Sequence, residues 1–234
     1  MRCDRSAAHR RPRRSRSPQP DRSVRLGIFG GTFDPPHVGH LLAASDAIEH
    51  LALDRLVFVP VATQPLKTSR TTAPAVDRLA MVRLTAGNDP RLGTDSVELD
   101  RDGLSYTVDT LREFARRVPS AERYFLVGAD VLASFAQWRD PQTVLDLATL
   151  AVLTRRADAG EGRAGGAAGA DAQRPNAARS DIGSLLQQRS TFVPTRRIDV
   201  SSTEIRDRVR SGRSIHGFVT DTVGEYITAH GLYR

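Results

Sequence analysis

The stretch that most constrains the fold is residues 27–40, GIFGGTFDPPHVGH. It begins inside an apolar run, VRLGIF at 24–29, that is typical of a β-strand. The glycine pair Gly30-Gly31 follows, and from His37 onward the apolar residues return at helical spacing, at Leu41, Ala44, Ile48 and Leu51. The sequence therefore predicts a strand, a tight loop and a helix.

The residue types in this loop suit an anionic ligand. Glycines without Cβ let backbone amides approach an anion closely, and a helix start presents unpaired N–H groups together with the positive end of its dipole. His37 and His40 lie three residues apart, so their imidazoles can face one way and donate hydrogen bonds to phosphate oxygens. A phosphate cradle is the functional interpretation, although a glycine pair after a strand is also commonly just a turn.

Other glycine or histidine motifs fit less well. Metal-binding helices more often use an i, i+4 histidine pair with a nearby acid, and the only close acid here is Asp34. The loop also lacks G-x-G-x-x-G and Gly-Lys-Ser/Thr, which argues against a dinucleotide-binding dehydrogenase and a P-loop NTPase.

The charge of the chain is concentrated in its first residues. The formal net charge is +7, and residues 1–23 carry eight arginines against two aspartates, so the remaining chain carries only about +1. We expect residues 1–23 to be a disordered basic extension, or an upstream translation artefact with the native chain starting near Val24. The nearly neutral body, residues 24–234, is predicted to form a single domain without a nucleic-acid partner.

Neither a signal peptide nor a membrane span is predicted. The basic extension has no apolar h-region, and no later stretch is long and apolar enough to cross a bilayer. Cys3 is the single cysteine, which excludes internal disulfides and agrees with a reducing cytosol. We expect a cytoplasmic protein.

The body alternates apolar runs with helical patterns. Strands are predicted at 56–61, 97–99, 124–127, 150–154, 191–194 and 198–200, with helices at 75–86, from 105, after 130 and near 223–234. This order predicts an α/β fold, a Rossmann-like doubly wound parallel sheet. Residues 157–180 are poor in large apolar side chains and are expected to form a flexible insertion.

Several polar residues follow predicted strands, where open α/β sheets bind ligands. Lys67 is a candidate phosphate contact, or a solvated surface lysine. Asp130, after Gly128, could accept hydrogen bonds from ribose hydroxyls, cap the next helix, or do both. Trp138 could belong to the core or stack on a planar ring.

A second helix start is predicted at residues 201–206, SSTEIR. Ser201 and Glu204 match a capping box, and the hydroxyls of Ser202 and Thr203 with Arg206 add donors for an anion. Ser105 and Thr107 open an earlier helix and predict a hydroxyl cap there.

GGTFDPPHVGH resembles the signature of the nucleotidyltransferase superfamily with a His-x-Gly-His motif, and nicotinate-nucleotide adenylyltransferase in particular. SYT-x-x-TL at 105–111, F-x-x-W after GAD at 128–130, VSSTEIR at 200–206 and the HGLYR ending extend the similarity. The insertion departs from the family, which usually has a short Arg-Pro-Gly-type turn there. A pantetheine-phosphate adenylyltransferase would share HVGH but lack the SYT and HGLYR stretches.

The resemblance implies transfer of adenylate from ATP to nicotinate mononucleotide by direct attack, with Mg²⁺ carried by the ATP phosphates rather than by protein ligands. The implied catalytic residues are His37, His40 and Arg206. The implied ATP-binding residues are Gly30, Gly31, Thr32, Phe33, His37, His40, Gly128, Asp130, Ser201, Ser202, Thr203 and Arg206. The implied nicotinate-nucleotide contacts are Thr32, Lys67, Thr107 and Trp138. A homo-oligomer stays open, as does a nucleotide sensor or RNA-binding protein that uses the basic extension.

Overall fold

The computed structural model describes residues 23–63, 73–101, 103–155 and 177–234. Its strands are β1 Arg25–Gly31, β2 Arg55–Pro60, β3 Leu92–Thr94, β4 Glu122–Gly128, β5 Thr149–Arg155 and β6 Ser190–Thr195. Its α-helices are α1 Val38–His50, α2 Ala75–Ala86, α3 Thr107–Arg117, α4 Pro141–Leu147, α5 Ala177–Gln188, α6 Ser202–Arg210 and α7 Asp221–Ala229. A 3₁₀-helical segment, Ala129–Gln137, follows β4.

The six strands form one sheet in the order β3-β2-β1-β4-β5-β6, and every neighbouring pair is parallel. The predicted doubly wound fold is confirmed. The strand order reverses between β1 and β4, which pair in register from Arg25 opposite Glu122 to Phe29 opposite Leu126. Such a switch point leaves a crevice at the carboxyl ends of the strands. The segment from the end of β1 to the start of α1, residues 30–37, is called the glycine loop and lies in that crevice.

Apolar side chains cover both faces of the sheet, as parallel strands require. Ile28 and its neighbours face a core completed by α3 and α4, whereas Phe29 faces a core completed by α1 and α2. A third cluster joins α2, α6 and α7 through Ala73, Met81, Ile205, Val223 and Ile227. This third cluster attaches the last part of the chain to the edge of the crevice.

Two predicted strands are wrong. The third strand is Leu92–Thr94, because residues 95–99 satisfy their backbone locally: Asp95 Oδ1 accepts the Val97 N–H at 2.9 Å, and the Leu99 N–H donates to the Ser96 carbonyl at 2.7 Å. Residues 198–200 are not a strand either. The chain leaves the sheet after β6, where the Arg196 N–H donates to Asp46 Oδ2 of α1 at 2.9 Å.

Two predicted helix caps are also wrong. The N-cap of α3 is Tyr106 without a side-chain cap bond, because the Ser105 hydroxyl accepts the Ala62 N–H at 3.1 Å instead. Asp130 lies inside the 3₁₀ segment and does not cap it. The last residues of the expected flexible insertion, 177–180, are helical in α5, whereas the rest of it up to 176 and the extension before residue 23 lie outside the described residues. Among the described helices, none is long and apolar enough to cross a bilayer.

Candidate functional site

The two histidines of the glycine loop lie side by side at the first turn of α1. His37 occupies the N-cap, and its backbone N–H donates to Nδ1 of His40 at 3.2 Å. Their rings stack with centroids 3.8 Å apart and planes inclined by 28°. Because Nδ1 of His40 accepts this bond, the neutral ring carries its proton on Nε2. The N–H of Nε2 is then available as a donor.

Glycine is required at two positions next to these rings. A Cβ at Gly39 would lie 2.9 Å from Nδ1 of His37, so only glycine lets the His37 ring fold back along the helix. A Cβ at Gly31 would lie 2.8 Å from Cζ of Phe33. Phe33 is 2% exposed and packs edge-on against His40 with centroids 5.0 Å apart. Its side chain therefore supports the His40 ring from the core, and only its backbone lies along the loop.

Burial keeps both imidazoles neutral in the free protein. It lowers the pKa of His37 to about 4, and it lowers the pKa of His40 well below its usual value, with the neighbouring His37 adding to that effect. A phosphate group bound beside the rings would favour the protonated imidazolium at His37, whose Nδ1 is not already used as an acceptor, and would raise its pKa again.

We therefore expect the binding of a polyphosphate ligand near pH 6 to be coupled to net uptake of protons. Calorimetric titration in buffers of different ionisation enthalpy measures that number directly. The His37→Ala variant lacks one of the rings and should take up fewer protons. An equal number for the variant and the wild type would show that the pKa of His37 does not respond to the ligand.

The start of α6 meets the same loop from the other end of the sequence. Ser202 Oγ donates to the Pro35 carbonyl at 2.8 Å, and Arg206 Nη1 donates to the Asp34 carbonyl at 2.7 Å. Ser201 caps the helix by accepting the Glu204 N–H at 3.1 Å. The second guanidinium nitrogen of Arg206 donates to Thr203 Oγ1 at 3.1 Å. The structure thus brings the starts of α1 and α6 to one loop, and the helix cap predicted at Ser201 is present as well.

Sequence reasoning missed a buried network below this loop. Asp34 is 4% exposed, and its Oδ1 accepts the Ala73 N–H at 3.1 Å and the Tyr233 hydroxyl at 2.8 Å. Arg78 is 1% exposed, and its Nη1 donates to the carbonyls of Thr32 at 2.9 Å and Val61 at 2.7 Å. The signal in the sequence was the position of Arg78 at helical spacing from the buried residues Met81, Val82 and Thr85.

Gly128 and Asp130 lie where β4 ends, beside the end of β1. Gly128 pairs with Leu153 of β5, and a Cβ on it would lie 2.5 Å from Oδ1 of Asp130. The Asp130 carboxylate therefore lies against the strand end, and its side chain is exposed to solvent. A ribose hydroxyl donating to it would lie at the switch point of the sheet.

The segments that carry Thr107 and Trp138 adjoin each other. The Arg139 guanidinium lies over the Tyr106 ring, 4.7 Å from its centroid, and its Nη1 lies 3.6 Å from Oδ2 of Asp109. These contacts connect the first turn of α3, which starts at Thr107, to the residue after Trp138.

Trp138 is only partly buried. It packs against Phe135 with centroids 5.2 Å apart and edge-on against Phe125 at 6.2 Å. The Trp138 side chain is therefore packed partly into the core and remains partly exposed to solvent. Lys67, another expected contact of the nicotinate nucleotide, lies outside the described residues.

Comparisons with known proteins agree with this architecture. The cytidylyltransferase-like family matches residues 28–208. The chain is 48% identical over 213 residues to the probable nicotinate-nucleotide adenylyltransferase of Gemmatimonas aurantiaca, covering 90% of this chain and 93% of that protein. It is 41% identical over 211 residues to the probable nicotinate-nucleotide adenylyltransferase of Thermus thermophilus, covering 90% of this chain and all, 100%, of that protein.

A solved structure is similar in fold. It is nicotinic acid mononucleotide adenylyltransferase of Plasmodium falciparum, complexed with NaAD, and it superposes with a TM-score of 0.65 at 17% identity over 90% of this chain and 97% of that one. The family expected from the sequence motifs is confirmed by the two bacterial relatives. With the glycine loop, the stacked histidines and the start of α6 assembled at the switch point, this chain belongs to the nicotinate-nucleotide adenylyltransferase family of nucleotidyltransferases.

Proposed function

We propose that this enzyme transfers the adenylyl group of ATP to nicotinate mononucleotide, forming deamido-NAD and pyrophosphate in NAD biosynthesis. The observation that carries the proposal is the convergence of the α1 and α6 starts on residues 34–37. Two helix N-termini and two imidazoles at one place suit a ligand with several phosphates. The bacterial relatives named for this activity support the choice of acceptor.

The proposed reaction is one in-line displacement. A 5′-phosphate oxygen of the acceptor bonds to the α-phosphorus of ATP, while the bond from that phosphorus to the bridging oxygen breaks and its electron pair leaves with pyrophosphate. No covalent intermediate with the enzyme is formed. Catalysis then depends on alignment and on stabilising charge on the phosphate oxygens. We assign this charge stabilisation to His37, to the Nε2–H of His40 and to Arg206.

We assign the remaining ATP contacts to the two loops around these residues. Gly30, Gly31, Thr32 and Phe33 would contribute backbone amides and the Thr32 hydroxyl, since the Phe33 side chain is buried. The hydroxyls and free amides at 201–203 would bind the phosphates from the α6 side. Gly128 and Asp130 would hold the ribose.

The acceptor is assigned to the opposite side of the switch point. Thr107 and its backbone amide at the start of α3 would bind the pyridine carboxylate, and Trp138 would stack on the ring. Lys67 and Thr32 would meet the 5′-phosphate. A preference for nicotinate over nicotinamide follows if the α3 start favours a negatively charged carboxylate.

Magnesium enters this proposal as part of the substrate MgATP. Within the described parts of the chain, no three His, Cys, Asp or Glu side chains are grouped so that they could hold a metal ion. The ATP phosphates are therefore its proposed ligands. We assign the reaction to the cytoplasm.

The test is pyrophosphate release from MgATP with nicotinate mononucleotide, nicotinamide mononucleotide or phosphopantetheine offered separately. We expect the highest kcat/KM with nicotinate mononucleotide. The single tryptophan gives a second readout, because stacking of the pyridine ring on Trp138 should quench its fluorescence. Activity with phosphopantetheine alone would refute the proposed acceptor.

A further inference from the structure

Tyr233 reaches the glycine loop from the far end of the sequence. It follows α7 after a reversal in which the Leu232 N–H donates to the Ile227 carbonyl at 3.0 Å. Its ring packs against the apolar cluster shared by α2, α6 and α7. From there its hydroxyl donates to Oδ1 of Asp34 at 2.8 Å. The last helix therefore delivers one hydroxyl group to the underside of the loop that carries His37.

Asp34 is the residue through which this contact acts. Its side chain is buried, and it accepts bonds from Tyr233 and from the Ala73 N–H just before α2. Its backbone carbonyl accepts from Arg206 in α6. One residue, three positions before His37, is thus held by the chain before α2, by α6 and by the segment after α7. Its position sets where the loop enters α1.

Burial and the neighbouring Asp34 carboxylate keep the Tyr233 hydroxyl protonated. Burial raises the pKa of Tyr233, and the Asp34 carboxylate raises it further, while Arg206 and Arg78 act in the opposite direction. The hydroxyl is therefore protonated at neutral pH and donates its hydrogen bond to Asp34. Leaving the buried Asp34 carboxylate without this donor costs free energy, so we expect the loop to shift until the carboxylate finds another donor.

We propose that Tyr233 is a positioning residue for adenylyl transfer, which holds Asp34 so that His37 and His40 are aligned on the phosphates of ATP. This inference rests on the function proposed above. Tyr233 itself would not touch the substrates. It acts on the alignment of the histidines, so its loss should lower kcat more than it raises the KM for ATP.

The experiment compares Tyr233→Phe with Tyr226→Phe. Tyr226 is a matched control, because its hydroxyl donates to Oδ1 of Asp77 at 2.8 Å and joins α7 to α2 away from the glycine loop. Each variant loses one tyrosine–aspartate hydrogen bond. We expect both thermal unfolding midpoints to decrease, and that of Tyr233→Phe to decrease more, because Asp34 is buried and Asp77 is only partly buried. Only Tyr233→Phe should lower kcat, by about tenfold, with the KM for ATP changed less than about threefold.

A double-mutant cycle with Asp34→Asn tests the route of the effect. If Tyr233 acts through Asp34, the double variant should be about as slow as the slower single variant. Wild-type kcat in Tyr233→Phe, an equal loss in Tyr226→Phe, or effects that multiply in the cycle would overturn the proposal. If the wild type adenylates a different acceptor, the proposed function fails. The kcat of each variant relative to the wild type, measured with that acceptor, still decides the role of Tyr233.

Discussion

Replacement of His40 by alanine is expected to lower the turnover number by at least about a hundredfold, the scale on which loss of one charge-stabilising donor acts. His40 accepts the His37 N–H through Nδ1, which leaves its Nε2–H to donate to the substrate. Alanine removes that donor and also the partner on which the His37 ring stacks. The measurement is steady-state pyrophosphate release at saturating MgATP and acceptor.

The control for this variant is His50→Ala. His50 is the last residue of the same helix, and its side chain is exposed. We expect its replacement to leave turnover unchanged. If His40→Ala retained near-wild-type turnover while remaining folded, the assignment of His40 to the reaction would be wrong.

Replacement of Gly39 by alanine is expected to lower activity with little effect on stability. The added Cβ would lie 2.9 Å from Nδ1 and 3.0 Å from Cε1 of His37, so the ring must swing away from its place beside His40. Turnover should fall about tenfold or more, because displacing a catalytic group by about 1 Å can cost a hundredfold. Stability should change little, because the helical preference of alanine over glycine, at most about 1 kcal/mol, offsets the packing lost when the His37 ring leaves His40. Measuring turnover and the thermal unfolding midpoint of the same variant tests the two expectations.

Gly183→Ala is the matched control for this substitution. Gly183 lies within α5, and a Cβ there would have no atom within 4 Å. Alanine should stabilise that helix without changing turnover. A Gly39→Ala enzyme with full activity would show that the His37 ring position does not matter. A strongly destabilised one would show that the clash is not relieved by movement of the ring.

The fold was predictable because its strongest signals are local. The glycine loop and the apolar runs at β1, β2, β4 and β5 predict parallel strands in chain order, and the sheet confirms them. β3 was missed, since a three-residue edge strand carries almost no periodicity, whereas the buried Val97 and Glu98 resemble one. The hydroxyl cap predicted for α3 is absent because the Ser105 hydroxyl accepts the Ala62 N–H, 43 positions away in the sequence.

The site was predictable only in part for the same reason. The motifs around His37 and Ser201 predict two helix starts, but no local pattern says that they meet. The contact between Asp34 and Tyr233 spans 199 positions, and that between Arg78 and Thr32 spans 46. Pairs of that kind depend on the packing of α2, α6 and α7 against one another. Neither composition nor periodicity reports such packing.

The closure of the glycine loop by late segments has a consequence for how the enzyme matures. The loop is synthesised before α6 and α7, and its contacts with Ser202, Arg206 and Tyr233 span 167, 172 and 199 positions. Contacts between residues far apart in the sequence have the highest entropic cost of loop closure, and they tend to slow folding. A nascent chain can therefore complete its first β-α-β unit on the ribosome while it is still catalytically silent. Activity is expected to arise only when α6 and the segment after α7 dock onto a loop that was synthesised well before them.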